Sequence, residues 1–143
     1  MDIEYAEQYG ETLLDYAFDM LFVRETCGVN HAEFIFVRLS DLLKEHDKLK
    51  PWFLKKLNGT IEGKWSNLAV EVKRPQGYMP SELVEYIAHV MKWPEFKEIS
   101  LNELEKHKGD EIYMINRNLP GSILEALESN WEDRYFYKSL GGS

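Results

Sequence analysis

The most regularly spaced residues in this chain are acidic. Glu7, Glu11, Asp15 and Asp19 follow one another at intervals of four near the amino terminus, and Glu4 lies three residues before the first of them. Each residue of an α-helix advances by about 100°, so a step of four drifts by only about 40° and the carboxylates form a slanting stripe. Such a stripe is suited to docking a cationic partner, and it is equally typical of a solvated helix face.

Tyrosines accompany this stripe. Tyr5, Tyr9 and Tyr16 lie near or within it, and tyrosine beside aspartate and glutamate is a common composition for a specific protein interface. We therefore predict a surface that binds a basic partner protein, formed by Glu7, Tyr9, Glu11, Asp15, Tyr16 and Asp19.

A short part of this segment resembles a known inhibitor family. Tyr9-Gly10-Glu11, followed by Leu13 and Asp15, is similar to the acidic helix of the barstar-type ribonuclease inhibitors over about a dozen residues. In that family a strand precedes the helix, whereas only eight residues precede Tyr9 here. The resemblance implies only that an acidic helix of this kind can bind and block a basic nuclease.

Two glutamate–histidine pairs have a spacing that could bring them together around a metal. Glu85 and His89 are four residues apart, and Glu103 and His107 repeat the interval. An ordinary helical pair explains each of them, and neither matches a known zinc or calcium motif. We predict no metal site and no cofactor, and whether the two pairs converge stays open.

No motif in the chain indicates catalysis. The sequence has no nucleophile elbow, phosphate-binding loop or dinucleotide-binding glycine pattern. The lone Cys27 precedes His31 by four residues, but sequence proximity adds little to a case for a catalytic pair, and the role of Cys27 stays open. We predict no catalytic residues and no enzymatic activity.

Charge is unevenly distributed along the chain. The 25 acidic and 17 basic residues give a net charge of −8, which argues against a basic nucleic-acid-binding domain. Residues 1–40 carry −6, residues 41–74 carry +3 and residues 75–143 carry −5. This asymmetry can steer a charged partner, or the basic middle segment can lie against the acidic one within the molecule.

Periodicity predicts an α+β fold, with about five helices packed on a small, mainly antiparallel sheet. We expect a single domain over residues 1–139 and a flexible tail over residues 140–143. The predicted helices are 3–23, one capped by Asn30 and extending to Leu43, a short one opening at Pro51, one opened by Pro80-Ser81-Glu82 and closed by Pro94, one capped by Ser100 and ending near 108, and one from Pro120 to about 130. The predicted strands are 60–62, 68–73, 112–116 and 134–138.

Small size, acidity and the absence of a catalytic motif together favour a binding protein. We expect a cytoplasmic module, monomeric or weakly dimeric, that occludes a basic partner as an immunity protein or antitoxin occludes a nuclease toxin. No apolar run approaches the ~20 residues of a membrane helix, so a membrane is not an expected partner. The negative net charge makes nucleic acid an unexpected partner as well. The alternatives are a structural or adaptor subunit that self-associates, and a small enzyme with an unrecognised carboxylate or histidine site.

Overall fold

The computed structural model describes residues 2–24, 28–65, 68 and 73–142. Across these residues the chain is helical and contains no strand. The α-helices are α1 Ile3–Phe18, α2 Val29–Glu45, α3 Lys50–Glu62, α4 Ser81–Met91, α5 Pro94–Lys106, α6 Glu111–Ile115 and α7 Leu119–Ala126. Shorter helical turns cover Asp19–Val23, Asp47–Leu49, Glu132–Phe136 and Lys138–Leu140.

The predicted α+β fold is therefore wrong. Segment 60–62 is the last turn of α3, segment 112–116 falls on α6, and segment 134–138 forms short 3-10 turns. The remaining predicted strand, 68–73, lies mostly outside the described residues.

Local hydrogen bonds explain two of these departures. The Asp110 side chain accepts a hydrogen bond from the backbone N–H of Tyr113 at 3.2 Å, which caps α6 and outweighs the strand propensity of the residues after it. Near the end of α3, the Thr60 hydroxyl donates to the Gly77 carbonyl and accepts from the Met79 N–H, both at 3.0 Å. Thr60 thus ties α3 to the following segment without any strand pairing.

The carboxy-terminal segment is held by side chains. Both oxygens of the Glu33 carboxylate accept backbone N–H groups, from Lys138 and Ser139, at 2.9 Å each. Tyr137 is buried and packs against the rings of Tyr86 and Trp131. These contacts hold the carboxy-terminal segment against α2 and α4 without strand pairing.

Two predicted helix caps are also wrong. Gly28, not Asn30, precedes α2, and its N–H donates to Nδ1 of His31 at 3.2 Å. Ser100 lies buried inside α5, which begins at Pro94 because the fixed φ of proline suits the first helical turn.

The helices pack around one apolar cluster. α1 contacts α2, α4 contacts α2 and α7, and α5 contacts α7 and α3. The largest fully buried side chains include Phe18, Phe36, Phe53 and Phe96. No described helix has the length and apolar character that crossing a bilayer requires.

Candidate functional site

The amphipathic helix α1 buries one face, and its charged residues and tyrosines lie outside that face. Its buried residues are Ala6, Gly10, Leu13, Leu14, Ala17 and Phe18. Helical spacing places the remaining large side chains on two flanks of the outward face. The acidic flank carries Glu4, Glu7, Glu11 and Asp15, and the tyrosine flank carries Tyr5, Tyr9 and Tyr16.

Glu11 is bound by cations of its own chain. Its Oε2 accepts from Nη2 of Arg74 at 2.5 Å, and its Oε1 pairs with Nζ of Lys56 and accepts from Nε1 of Trp52 at 3.2 Å. Burial by itself raises the pKa of Glu11, but the hydrogen bonds from Lys56 and Arg74 outweigh it and hold the pKa below its ordinary value. Glu11 is therefore a satisfied carboxylate.

Arg74 joins three parts of the structure. Besides Glu11, its guanidinium donates to Oδ1 of Asp15 at 2.8 Å and to the carbonyl oxygen of Tyr78 at 2.9 Å. The Arg74 side chain is only 7% exposed. The basic middle segment thus lies against the acidic helix at Lys56 and Arg74, which is the intramolecular arrangement left open by the sequence.

Gly10 makes the approach of α3 to α1 possible. A Cβ at this position would lie within 3.0 Å of three atoms of the Trp52 indole ring. The glycine costs α1 about 1 kcal/mol of helix propensity, and it lets Trp52 reach Glu11 across the helix surface.

The other predicted site residues divide into engaged and outward-facing ones. The Tyr9 hydroxyl accepts from Nε of Arg38 at 2.9 Å, and Asp19 pairs with Arg24 at 2.8 Å. Glu7 and Tyr16 have no ion pair or side-chain hydrogen bond with any other described residue, and Tyr16 is 59% exposed.

Glu4 and Tyr5 extend the outward-facing part of the site. The predicted set omitted both residues, although they continue the spacing of Glu7 and Tyr9 and Tyr5 is also 59% exposed. Glu4 and Glu7 line a groove of about 570 Å³ between α1 and α3, with Lys55 on its opposite wall. We call Glu4, Tyr5, Glu7 and Tyr16 the outward α1 surface.

The two glutamate–histidine pairs do not converge. Glu85 accepts from Arg117, while Nδ1 of His89 donates to the Ala126 carbonyl oxygen at 2.7 Å. Glu103 and His107 contact each other at 3.2 Å. Among the described residues no three acidic, histidine or cysteine side chains form a metal-binding group, and Cys27 lies outside those residues.

Glu85 is a second carboxylate with an unusual environment. It is buried on α4, and its Oε1 accepts from Nη2 of Arg117 at 2.9 Å. Burial raises its pKa to about 7 because the attraction of Arg117 is too weak to offset the loss of water, and the charges of Glu82 and Asp133 add to the rise. A pKa near 7 suits general acid–base catalysis, but no histidine is among the described lining residues of its cavity, whose hydroxyl groups are those of Ser81 and Tyr137.

Comparisons of the chain with protein-family models, with curated proteins and with solved structures find no match.

Proposed function

We propose that the protein is a non-catalytic binding module that docks a basic partner protein on the outward α1 surface and occludes it, as an immunity protein occludes a nuclease toxin. The observation that carries the proposal is that α1 bears two well-exposed tyrosines, Tyr5 and Tyr16, together with Glu4 and Glu7, which form no ion pair with any described residue. Tyrosine is enriched among the few residues that contribute most to binding energy, and unpaired carboxylates steer a cationic partner toward them.

The inner residues of the predicted site take a supporting role in this proposal. Glu11 and Asp15 hold α1 to Arg74, so the helix that carries the outward α1 surface is fixed before a partner arrives. A preorganised surface loses less conformational freedom on binding, which favours affinity. Charge reversal at Glu11 would therefore disturb the fold, and the partner test belongs at Glu4 and Glu7.

The test is capture of a partner from host-cell lysate at low and high salt, followed by affinity measurement with two charge-reversed variants. Glu4→Lys/Glu7→Lys changes the outward α1 surface, and Glu98→Lys/Glu128→Lys changes two exposed glutamates elsewhere. Each reversal adds two charges, so both variants move the net charge from −8 to −4. We expect a stoichiometric basic protein that salt releases and that binds the first variant at least about tenfold more weakly, with little change for the second.

Two outcomes contradict the proposal. Equal weakening by both variants means that only net charge matters, and unchanged affinity in both removes α1 from the interface.

Capture of no basic protein, together with a mass that rises with concentration, favours the self-associating adaptor instead. That alternative has one observation in its favour: Phe34 and Phe136 are exposed beside a groove of about 520 Å³ between α2 and the carboxy-terminal segment.

A further inference from the structure

A small cavity beside α4 is separate from the outward α1 surface. It has a volume of about 280 Å³ and lies between α4 and the turn Glu132–Phe136, with Arg117 at its edge. Since a water molecule occupies about 30 Å³ in the liquid, the cavity has room for a group of several heavy atoms.

The described residues that line this cavity carry more negative than positive charge. Glu82, Glu85 and Asp133 contribute three carboxylates, and Arg117 is the one cation among the described lining residues. Arg117 donates to Oε1 of Glu85 from a side chain that is 65% exposed, so it covers the carboxylate from the solvent side. Asp133 lies 3.9 Å from the same guanidinium.

One carboxylate oxygen at the cavity is buried and lacks a donor, and it does not belong to Glu85, whose Oε1 accepts from Arg117. Oε2 of Glu82 is buried and has no hydrogen-bond partner among the described residues. A buried acceptor without a donor carries the full cost of its lost hydration, so a ligand that supplies donors here gains what the free protein forfeits.

The other walls favour an organic cation. The rings of Trp131 and Tyr137 line the same cavity, with centroids 6.1 Å apart and planes inclined by 25°. Aromatic faces attract ammonium and guanidinium groups that lie within about 6 Å of the ring centroid. The described carboxylates form no metal-binding group, which disfavours a bare metal ion. An ammonium group is compact and has three donors, whereas a guanidinium is a broad planar fork of the kind that Arg117 already provides.

From this geometry we infer that the cavity binds a primary ammonium group on a short alkyl chain, with Glu82 and Glu85 accepting its hydrogen bonds and Trp131 and Tyr137 packing against the chain. The group belongs either to a free alkylamine or to a lysine side chain, since both present the same chemistry. The inference does not depend on the proposed function, because none of these residues lies on α1.

Binding at this cavity is linked to the protonation of Glu85. The charged groups that face it are Arg117, Glu82, Asp133 and Glu125, and the Tyr137 hydroxyl stays neutral because burial raises its pKa. The ammonium binds the carboxylate form, so it releases a proton from the half-protonated Glu85 at pH 7. Affinity therefore rises with pH through the range around 7.

The test titrates butylammonium chloride and, separately, Nα-acetyl-lysine methylamide into the protein at pH 6 and pH 8 and at constant ionic strength. The indole N–H signal of Trp131 in nitrogen–proton NMR spectra reports binding. We expect saturable shifts and an affinity about tenfold higher at pH 8, because the ionised fraction of Glu85 changes by about that factor across its pKa. Tighter binding of the lysine derivative identifies a side chain as the source, and tighter binding of butylammonium identifies a free amine.

Glu85→Gln and Glu103→Gln form a matched pair of variants. Both remove the charge of a buried carboxylate without changing its shape, and only Glu85 lines the cavity. We expect the first variant to bind at least about tenfold more weakly at pH 8 and the second to match the unmodified protein. The inference is overturned if sodium chloride reproduces the shifts, if neither probe saturates, or if Glu85→Gln binds as well as Glu103→Gln.

Discussion

Two glutamate–arginine pairs in this molecule have opposite electrostatics. In the first, Arg74 is the buried member at 7% exposure and Glu11 is 31% exposed. In the second, Glu85 is buried at 5% exposure and Arg117 is 65% exposed. The pKa of Glu11 lies below its ordinary value, whereas the pKa of Glu85 rises to about 7. The presence of an arginine therefore does not decide the charge state of a carboxyl group.

The number of donors and the exposure of the carboxylate explain the difference. Glu11 receives hydrogen bonds or ion pairs from Trp52, Lys56 and Arg74, while Glu85 receives one from Arg117. Three donors replace the water that Glu11 loses, and a single solvent-exposed donor does not do so for Glu85. The charge of Glu11 is compensated within the chain, whereas Arg117 compensates the charge of Glu85 only in part.

The largest effect expected from this comparison concerns the two arginines. Arg74→Met keeps the aliphatic stem but removes the guanidinium that pairs with Glu11 and Asp15. We therefore expect the free energy of unfolding to fall by about 3 kcal/mol at pH 7. Arg117→Met should cost under about 1 kcal/mol, because Arg117 is exposed and Glu85 can take up a proton. Urea denaturation measures both, and equal losses would mean that burial of the arginine does not distinguish the pairs.

The next effect concerns Glu85 and pH. The pKa of Glu85 is higher in the folded protein, at about 7, than the ordinary glutamate value of 4.5 that applies in the unfolded chain. Glu85 therefore contributes stability that is fully present below about pH 4.5 and is lost as the pH rises through about 7. Glu85→Gln removes this loss, so we expect the variant to match the unmodified protein at pH 5 and to be more stable by about 2 kcal/mol at pH 8. Chemical denaturation at both pH values provides the comparison, and a variant that is less stable at pH 8 would show that Glu85 is a stabilising anion.

Strongly periodic segments of the fold were predictable from the sequence, and short apolar runs were not. The helix predicted to open at Pro80-Ser81-Glu82 and to close at Pro94 is confirmed by α4, which covers Ser81–Met91. The runs at 112–116 and 134–138 have strand composition, but Asp110 and Glu33 bind the backbone donors that decide their conformation. The Glu33 contacts join residues 105 and 106 positions apart, which local propensity does not contain, whereas the Asp110 cap spans only three residues and is a local signal.

The candidate site was predictable as a helix face but not in its internal pairing. The spacing of Glu7, Glu11 and Asp15 defines the acidic flank of α1 correctly. Arg74 follows Glu11 by 63 residues, so only the charge asymmetry between residues 1–40 and 41–74 pointed to their contact. At Glu85 the four-residue interval to His89 suggested the wrong partner, because Arg117 arrives from 32 residues later in the chain.

The most direct test follows the carboxyl carbons of Glu11 and Glu85 by carbon-13 NMR in one sample titrated from pH 3 to pH 9. We predict a midpoint near 7 for Glu85 and a midpoint for Glu11 below that of an ordinary glutamate. Midpoints that coincide in the ordinary acidic range would contradict the claim that the carboxylate of Glu11 is fully compensated while that of Glu85 is compensated only in part.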